Sequence, residues 1–332
     1  MTGQPRHLTF AWWNLHNFAH YDASHDDRLR WPKSIPDYEA KRDRVLAAFG
    51  VMFGQDYPDL LAVCEITREA AQDLTQRLPS GFGLTISPTY RYDDKFQVAI
   101  IYRLGVGLSV EPPLLPAEED LNHGTRPMIP VNLTIPGHVI RFVACHWTAF
   151  EKSRVARQRL ADVVKRDAYN FLYPAEVRKT GLRRHAVILG DLNEEPMSEI
   201  FEERLIGCRD RESSRGQGKR DDEVRRVQLY NAAWRYLGEQ TAHSAPKVQT
   251  PSVAGTYYQD RQWRTFDHVL VSSSLLSEKP PYFDEAQTGI VATPIMVDEE
   301  GLPRPFEPGK PRGVSDHLPV VGRIVLSEAT RL

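Results

Sequence analysis

Several apolar runs in this sequence end on a side chain that a plain core would not need. Asn14 closes the run Leu8-Thr9-Phe10-Ala11-Trp12-Trp13, Glu65 closes Leu60-Leu61-Ala62-Val63-Cys64, and His146 closes the run from Val139 to Cys145. Asp191 and Asn193 follow Ala186-Val187-Ile188-Leu189-Gly190, Asp267 lies in a strand-like run from Trp263 to Ser272, and Asp316-His317 stands where a long loop meets Leu318-Pro319-Val320-Val321. Singly, each has a bland reading: Asn14 and Asn193 as turn residues, Glu65 as a helix N-terminal acid, His146 as a satisfied half-buried histidine, Ser315-Asp316-His317 as a turn. Together they supply hard carboxylate and carboxamide oxygens beside imidazoles, the inventory that metal-assisted attack on a phosphate ester calls for. Adjacent Asp316 and His317 cannot both point inward from a regular strand, so the pair belongs at a strand's mouth.

The elements that would position these groups are readable from periodicity. Strands are expected at 8–14, 60–65, 82–87, 96–103, 131–135, 139–145, 186–189 and 263–272; the continuous apolar character of several indicates burial on both faces. Pro136-Gly137 marks a hairpin-like turn between two of them. Helices are expected from Tyr38 to a stop at Gly54, from Arg68 to Leu78, and from Lys152 to Phe171, the first opening on a charged turn, Lys41 to Arg44. The stretch from His16 to Asp37, with His16, His20 and His25, reads as a loop.

With 332 residues, 41% hydrophobic and 26% charged, the chain has the composition of a soluble globular protein. A formal charge of −2 provides no global field for a polyanion, so a nucleic-acid contact would need a local basic patch. Cys64, Cys145 and Cys208 show no C-x-x-C spacing, which excludes a zinc knuckle and a disulfide framework. No signal peptide or bilayer-length apolar run is apparent, so a cytoplasmic protein without integral membrane association is expected. No repeat or low-complexity linker divides the chain; one domain over 1–332 is expected, with loop insertions near 209–226 and 280–312. Mostly apolar strands with few helices between them suggest two packed sheets flanked by helices.

Trp13-Asn14, Leu61-Ala62-Val63-Cys64-Glu65-Ile66, His146, Gly190-Asp191-Leu192-Asn193, Asp267-His268 and Ser315-Asp316-His317 resemble, in order, the motifs of the endonuclease/exonuclease/phosphatase superfamily. Gly255-Thr256-Tyr257 and Arg126-Pro127 are smaller echoes. The resemblance implies a four-layered α/β sandwich of two packed, mostly antiparallel sheets flanked by helices, with the site at one end of the sheets. It implies Mg²⁺, or Mn²⁺, near Glu65, Asn14 and Asp316. It makes Asp191 the base that positions and deprotonates water, Asn193 a holder of water or a phosphoryl oxygen, and His317, oriented by Asp267, a donor to the phosphate. His146 would bond the scissile phosphate or assist the leaving group.

Three departures are visible. In the secreted nucleases the counterpart of His146 is supported by a glutamate ahead of the strand matching Phe96 to Arg103, where this chain offers Asp93, Asp94 and Gln97. The apurinic endonucleases carry an acid two residues after the first asparagine, where this chain has His16. Trp147 follows His146 and would either stack on a substrate or pack in the core. The expectation is a divalent-metal-dependent phosphodiesterase acting on DNA or RNA. The alternatives are a phosphatase or lipid phosphodiesterase taking a phosphorylated small molecule or lipid headgroup, and a catalytically silent binding module.

Overall fold

The computed structural model describes residues 7–21, 32–54, 56–89, 96–117, 126–150, 152–174, 181–205, 207–216, 228–238, 240–241, 252–310 and 312–327. His25, Asp93, Asp94 and positions 217–226 of the charged insertion lie outside them. The strands, in chain order, are β1 His7–Phe18, β2 Leu60–Ile66, β3 Phe82–Ile86, β4 Gln97–Arg103, β5 Leu108–Val110, β6 Ile129–Ile135, β7 His138–His146, β8 Arg183–Asp191 and β9 Gly207–Cys208. There follow β10 Leu229–Asn231, β11 Gln240–Thr241, β12 Ser252–Val253, β13 Tyr257–Gln259, β14 Gln262–Arg264, β15 Asp267–Ser272, β16 Tyr282–Phe283, β17 Gly289–Ile290 and β18 Val320–Val325. The three long helices are α1 Ile35–Phe53, α2 Arg68–Arg77 and α3 Arg154–Leu172.

One sheet runs β16-β18-β1-β2-β4-β3, with β17 also on β18, and the other runs β5-β6-β7-β8-β15-β10-β9. Both are mixed: β1 pairs with β2 and β7 with β8 in parallel, while the flanking pairs β1/β18, β2/β4, β6/β7 and β8/β15 are antiparallel. Side-chain alternation explains the unbroken apolar runs. Phe142, Ala144, Val187, Leu189, Val269 and Val271 face the other sheet, where Phe142 meets Phe10 at 5.7 Å. Their neighbours Val143, Cys145, Ala186, Ile188 and Leu270 face outward, packing with Leu160, Ala161 and Val164 of α3. On the opposite side Val45, Ala48 and Phe49 of α1 cover the first sheet, with Phe49 edge-on to Trp13. The layers are therefore helix, sheet, sheet, helix, the four-layered arrangement expected above. No helix among the described residues is long and apolar enough to cross a membrane.

Several local expectations are corrected. Helix α1 starts at Ile35 rather than Tyr38, because Ser34 caps it, its hydroxyl accepting from the Asp37 amide, and Pro36 suits the first turn. Strand β1 runs on to Phe18 through a register shift after Asn14, so His16 lies in an irregular strand end and not in a loop. The run 263–272 is split: β13 and β14 form a hairpin, and the long strand begins at Asp267. The 280–312 stretch is tied down by β16 and β17 on β18 and by buried Val291, Met296 and Phe306. Lys41, read as part of a charged first turn, is 0% exposed.

Candidate active site

The strand ends converge at one end of the two facing sheets. In the second sheet the parallel register sets His146 opposite Asp191, and the antiparallel register sets Asp191 opposite Asp267. In the first sheet Asn14 lies opposite Cys64, and Glu65 falls in a register shift between β2 and β4. There the backbone turns into the left-handed region at His16, Asn17, Glu65 and Asn193, with φ of 47°, 55°, 55° and 50°. Positive φ is uncommon for these residues, and bulges of this kind re-aim side chains at the rim of a sheet.

Hydrogen bonds join the two sheets through these residues. The Asn14 carboxamide nitrogen donates to Asp191 Oδ2 at 3.0 Å and to Glu65 Oε1 at 3.2 Å, while its oxygen accepts the His16 amide at 2.9 Å. Glu65 Oε2 accepts from the Asn17 amide at 2.9 Å. Asp316 Oδ2 faces His16 Nε2 at 3.3 Å, whereas His317 turns the other way, Nδ1 onto Asp267 Oδ2 at 2.8 Å and Nε2 towards Asp191 Oδ2 at 3.7 Å. The neighbours therefore serve different partners. Ser315 fastens them, its hydroxyl donating to Asn14 O at 2.6 Å and accepting the His317 amide at 3.1 Å.

Asp267 is held from several directions. Trp12 Nε1 donates to Oδ1 at 2.7 Å, and Thr256 Oγ1 accepts the Asp267 amide at 3.2 Å. Gly255 must be glycine, because a Cβ there would lie 2.5 Å from Arg264 O. Burial by itself would push the Asp267 carboxyl up, but the His317 cation and the hydrogen bonds from His317, Thr256 and Trp12 hold it below its ordinary value. For His317 burial opposes the charge, and the carboxylates of Asp267 and Asp191 outweigh it, raising its pKa to about 10. Oxygen and nitrogen atoms of Asp191, Asp267 and His317 lie within 4.8 Å of one another, spacing that a metal could use. An imidazole that keeps both protons between two carboxylates has no lone pair for an ion, so within this trio His317 reads as a proton donor and not as a ligand.

The carboxylates on the first-sheet side suit a hard cation better. Burial would raise the Glu65 carboxyl, but His146, His16, His317 and the Asn14 amide outweigh it and bring its pKa down to about 2. Anionic Glu65, together with the side-chain oxygens of Asp316 and Asn14, offers the donor types that Mg²⁺ and Mn²⁺ prefer, and no thiolate stands among them. Cys64 is buried and its thiol is pushed upward by burial and by Asp191, Glu65 and Asp267.

His146 differs from His317. Its Nε2 lies 3.9 Å from both Glu65 Oε1 and Asp191 Oδ2, while its Nδ1 is buried with no partner among the described residues. Gln97, one of the candidate supports, instead donates to Ser87 O. Burial lowers the His146 pKa to about 4 despite the pull of Glu65, so the ring is neutral. Trp147 is 1% exposed and stacks on Phe201, which places it in the core and not against a substrate.

Asn193 fixes its surroundings: its amide donates to Asp191 Oδ1 at 3.0 Å, its Nδ2 to Trp147 O at 3.2 Å, and its Oδ1 accepts from Phe150 N at 3.2 Å. Phe150 is 40% exposed and ends a row of rings that starts at His317. Tyr257 lies 4.5 Å from His317, Phe266 5.6 Å from Tyr257, and Phe150 5.7 Å from Phe266, the last two pairs stacked. The guanidiniums of Arg157 and Arg264 stand over Phe150 at 5.4 and 5.5 Å.

Two residues beneath the site escape a motif reading. Lys41 donates its ammonium to His16 O and lies between the rings of Phe18 and Phe306. Burial lowers its pKa to about 7 against the attraction of Asp316 and Glu65. Its position is in phase with Val45, Ala48 and Met52 on the buried face of α1, a signal that could have marked it. His16, read as a loop residue and as a departure from the family pattern, places its Nε2 3.3 Å from Asp316 Oδ2.

Comparison with known proteins places this arrangement. The family model of the endonuclease/exonuclease/phosphatase family matches residues 11–317. An endonuclease/exonuclease/phosphatase family protein of Bacteroides thetaiotaomicron superimposes with a TM-score of 0.56 at 17% identity, over 98% of this chain and 100% of that one. A mannosyl-6-phosphatase of the same organism gives 0.56 at 17%, over 96% and 100%. D. rerio TDP2 complexed with a single-strand DNA product gives 0.51 at 15%, over 96% and 99%. At these identities the likeness is one of fold. Among curated proteins nothing matches.

Proposed function

This chain belongs to the endonuclease/exonuclease/phosphatase family, whose members are phosphoester hydrolases, and from that premise we propose that it is a divalent-metal-dependent phosphodiesterase acting on nucleic acid. The observation that carries the reaction type is the Asp267-His317-Asp191 chain, joined to Glu65 across the sheet interface by the Asn14 carboxamide nitrogen, which donates to both Asp191 and Glu65. In this reading Glu65, Asp316 and Asn14 hold Mg²⁺ or Mn²⁺. When bound, such an ion offsets the negative charge gathering on the phosphoryl oxygens.

The remaining work falls to the chain's own side chains. Asp191, aimed by the Asn14 and Asn193 amides, orients a water and takes its proton as the oxygen attacks phosphorus; the opposite P–O ester bond breaks and the departing alkoxide takes its proton from solvent water. His317, kept cationic by Asp267, donates to a phosphoryl oxygen as its charge grows. Neutral His146 offers a hydrogen bond to the phosphate but is a poor acid at neutral pH. The Asn193 carboxamide has one N–H beyond its bond to Trp147 O, free for a phosphoryl oxygen.

Nucleic acid is favoured over a compact phosphomonoester by the row of rings leading from His317 to exposed Phe150. A planar base next to the scissile phosphate can extend that stack, with Arg157 and Arg264 beside it. Stacking on one aromatic is worth about 1–3 kcal/mol per base, so Phe150→Ala is expected to raise KM for a single-stranded oligonucleotide by roughly tenfold with little change in kcat. Steady-state kinetics on the oligonucleotide, an inositol phosphate and mannose 6-phosphate checks this. Unchanged KM for the oligonucleotide, or faster turnover of either sugar phosphate, would move the assignment to the phosphatase reading.

A further inference from the structure

At the opposite end of the second sheet lies a cavity of about 680 Å³, lined by Arg183, Arg184, Arg215, Lys279, His138 and His185. His138 and Arg183 open β7 and β8, the strands whose far ends carry His146 and Asp191. Each strand has 9 residues, and at about 3.3 Å per residue the two ends are roughly 26 Å apart. The cavity is thus separate from the active site.

Its chemistry is one-sided. Glu278 is the one carboxylate among the described lining residues, and it sits on Arg215 at 3.2 Å. Arg183 and Lys279 make no ion pair among the described residues. Arg184 stacks over Phe171 at 5.2 Å and gives Nη1 to Phe171 O at 3.3 Å, which leaves its buried Nε without a partner. His138 Nδ1 lies 3.0 Å from His185 Nε2, and His185 Nδ1 lies 2.9 Å from Ser274 Oγ. The two rings stack with centroids 5.2 Å apart and form a rigid polar wall.

We propose that this cavity is a second binding site, for a small phosphate-bearing anion of nucleoside-diphosphate size. Guanidinium forks match phosphate oxygens in pairs, and the lysine adds a point charge. The volume falls within the range of about 300–1,000 Å³ typical of small-molecule sites. Among the described residues lining the cavity there is no row of exposed rings like that beside the active site, which favours a compact anion over a polynucleotide.

The test is calorimetric titration of the full chain with ADP, with inorganic pyrophosphate and with a single-stranded oligonucleotide. It compares wild type, the exposed pair Arg183→Gln/Lys279→Gln, Arg184→Gln and the active-site variant Asp191→Asn. Binding of ADP or pyrophosphate should weaken about tenfold or more in both cavity variants and stay unchanged in Asp191→Asn. Absence of binding by both small anions, equal binding in the cavity variants, or binding abolished by Asp191→Asn would overturn the proposal. So would loss of oligonucleotide binding alone in the cavity variants. The exposed pair keeps the test decisive if Arg184→Gln does not fold.

Discussion

Asp191→Asn is expected to lower kcat by about a thousandfold or more while leaving the fold intact, because this buried carboxylate meets Asn14, His146 and His317 at once. Asparagine keeps the shape but cannot take a proton, and its single carboxamide oxygen accepts from only one of Asn14 and Asn193, which bond different oxygens of Asp191. The pH profile sharpens the test. Burial is the largest influence on the Asp191 carboxyl and lifts it; the His317 cation opposes this, the Asp267 charge adds to it, and the net shift is upward. Water attack needs the ionised form, so kcat/KM should rise with pH as Asp191 loses its proton. At higher pH the rate should fall as His317 loses its own, with the two apparent values belonging to the pair. In Asp191→Asn the rising limb should vanish from the residual rate. Full activity in the variant, or an unaltered acid limb, would remove Asp191 from the base's role.

Gly190→Ala should destabilise the fold at the site itself. A Cβ at Gly190 would lie 2.1 Å from Cys145 O and 2.9 Å from Cys145 C, both backbone atoms of the parallel partner strand. Neither strand can yield easily, since β7 and β8 are each hydrogen-bonded on both sides and packed on both faces. Overpacking of this kind is expected to cost about 3 kcal/mol or more, which corresponds to a Tm lower by about 5 °C or more. The same shift would part His146 from Asp191, the next pair in the register, so any folded fraction should also be slow. Thermal unfolding followed by circular dichroism, alongside an activity assay, reads both. A Tm within about one degree of wild type would contradict the close approach of these strands.

The layered fold and the positions of the chemistry-bearing residues were legible because each depends on a local pattern. Val187, Ile188 and Leu189 announce a strand buried on both faces, and Asp191 marks where that burial ends. The motifs around Glu65, Asp191 and Ser315-Asp316-His317 added their order along the chain. What did not show was how the ends close on one another. The Asn14 to Asp191 bond spans 177 residues and exists only because two sheets face each other, and Trp12 on Asp267 spans 255. Lys41 was missed because a lysine early in a helix ordinarily faces water. Only the depth of α1 against β1 sends its ammonium to His16 O. The left-handed turn at Glu65 was equally hidden, since glutamate is not a residue type whose presence points to positive φ.

The most direct test of water attack at a phosphoester is hydrolysis of a single-stranded oligonucleotide in ¹⁸O-enriched water with Mg²⁺ or Mn²⁺, followed by mass spectrometry of the fragments. The expected result is cleavage with one ¹⁸O on the terminal phosphate of each product pair, and none when EDTA is present. Cleavage without label on phosphorus, or undiminished cleavage in EDTA, would contradict the assigned chemistry.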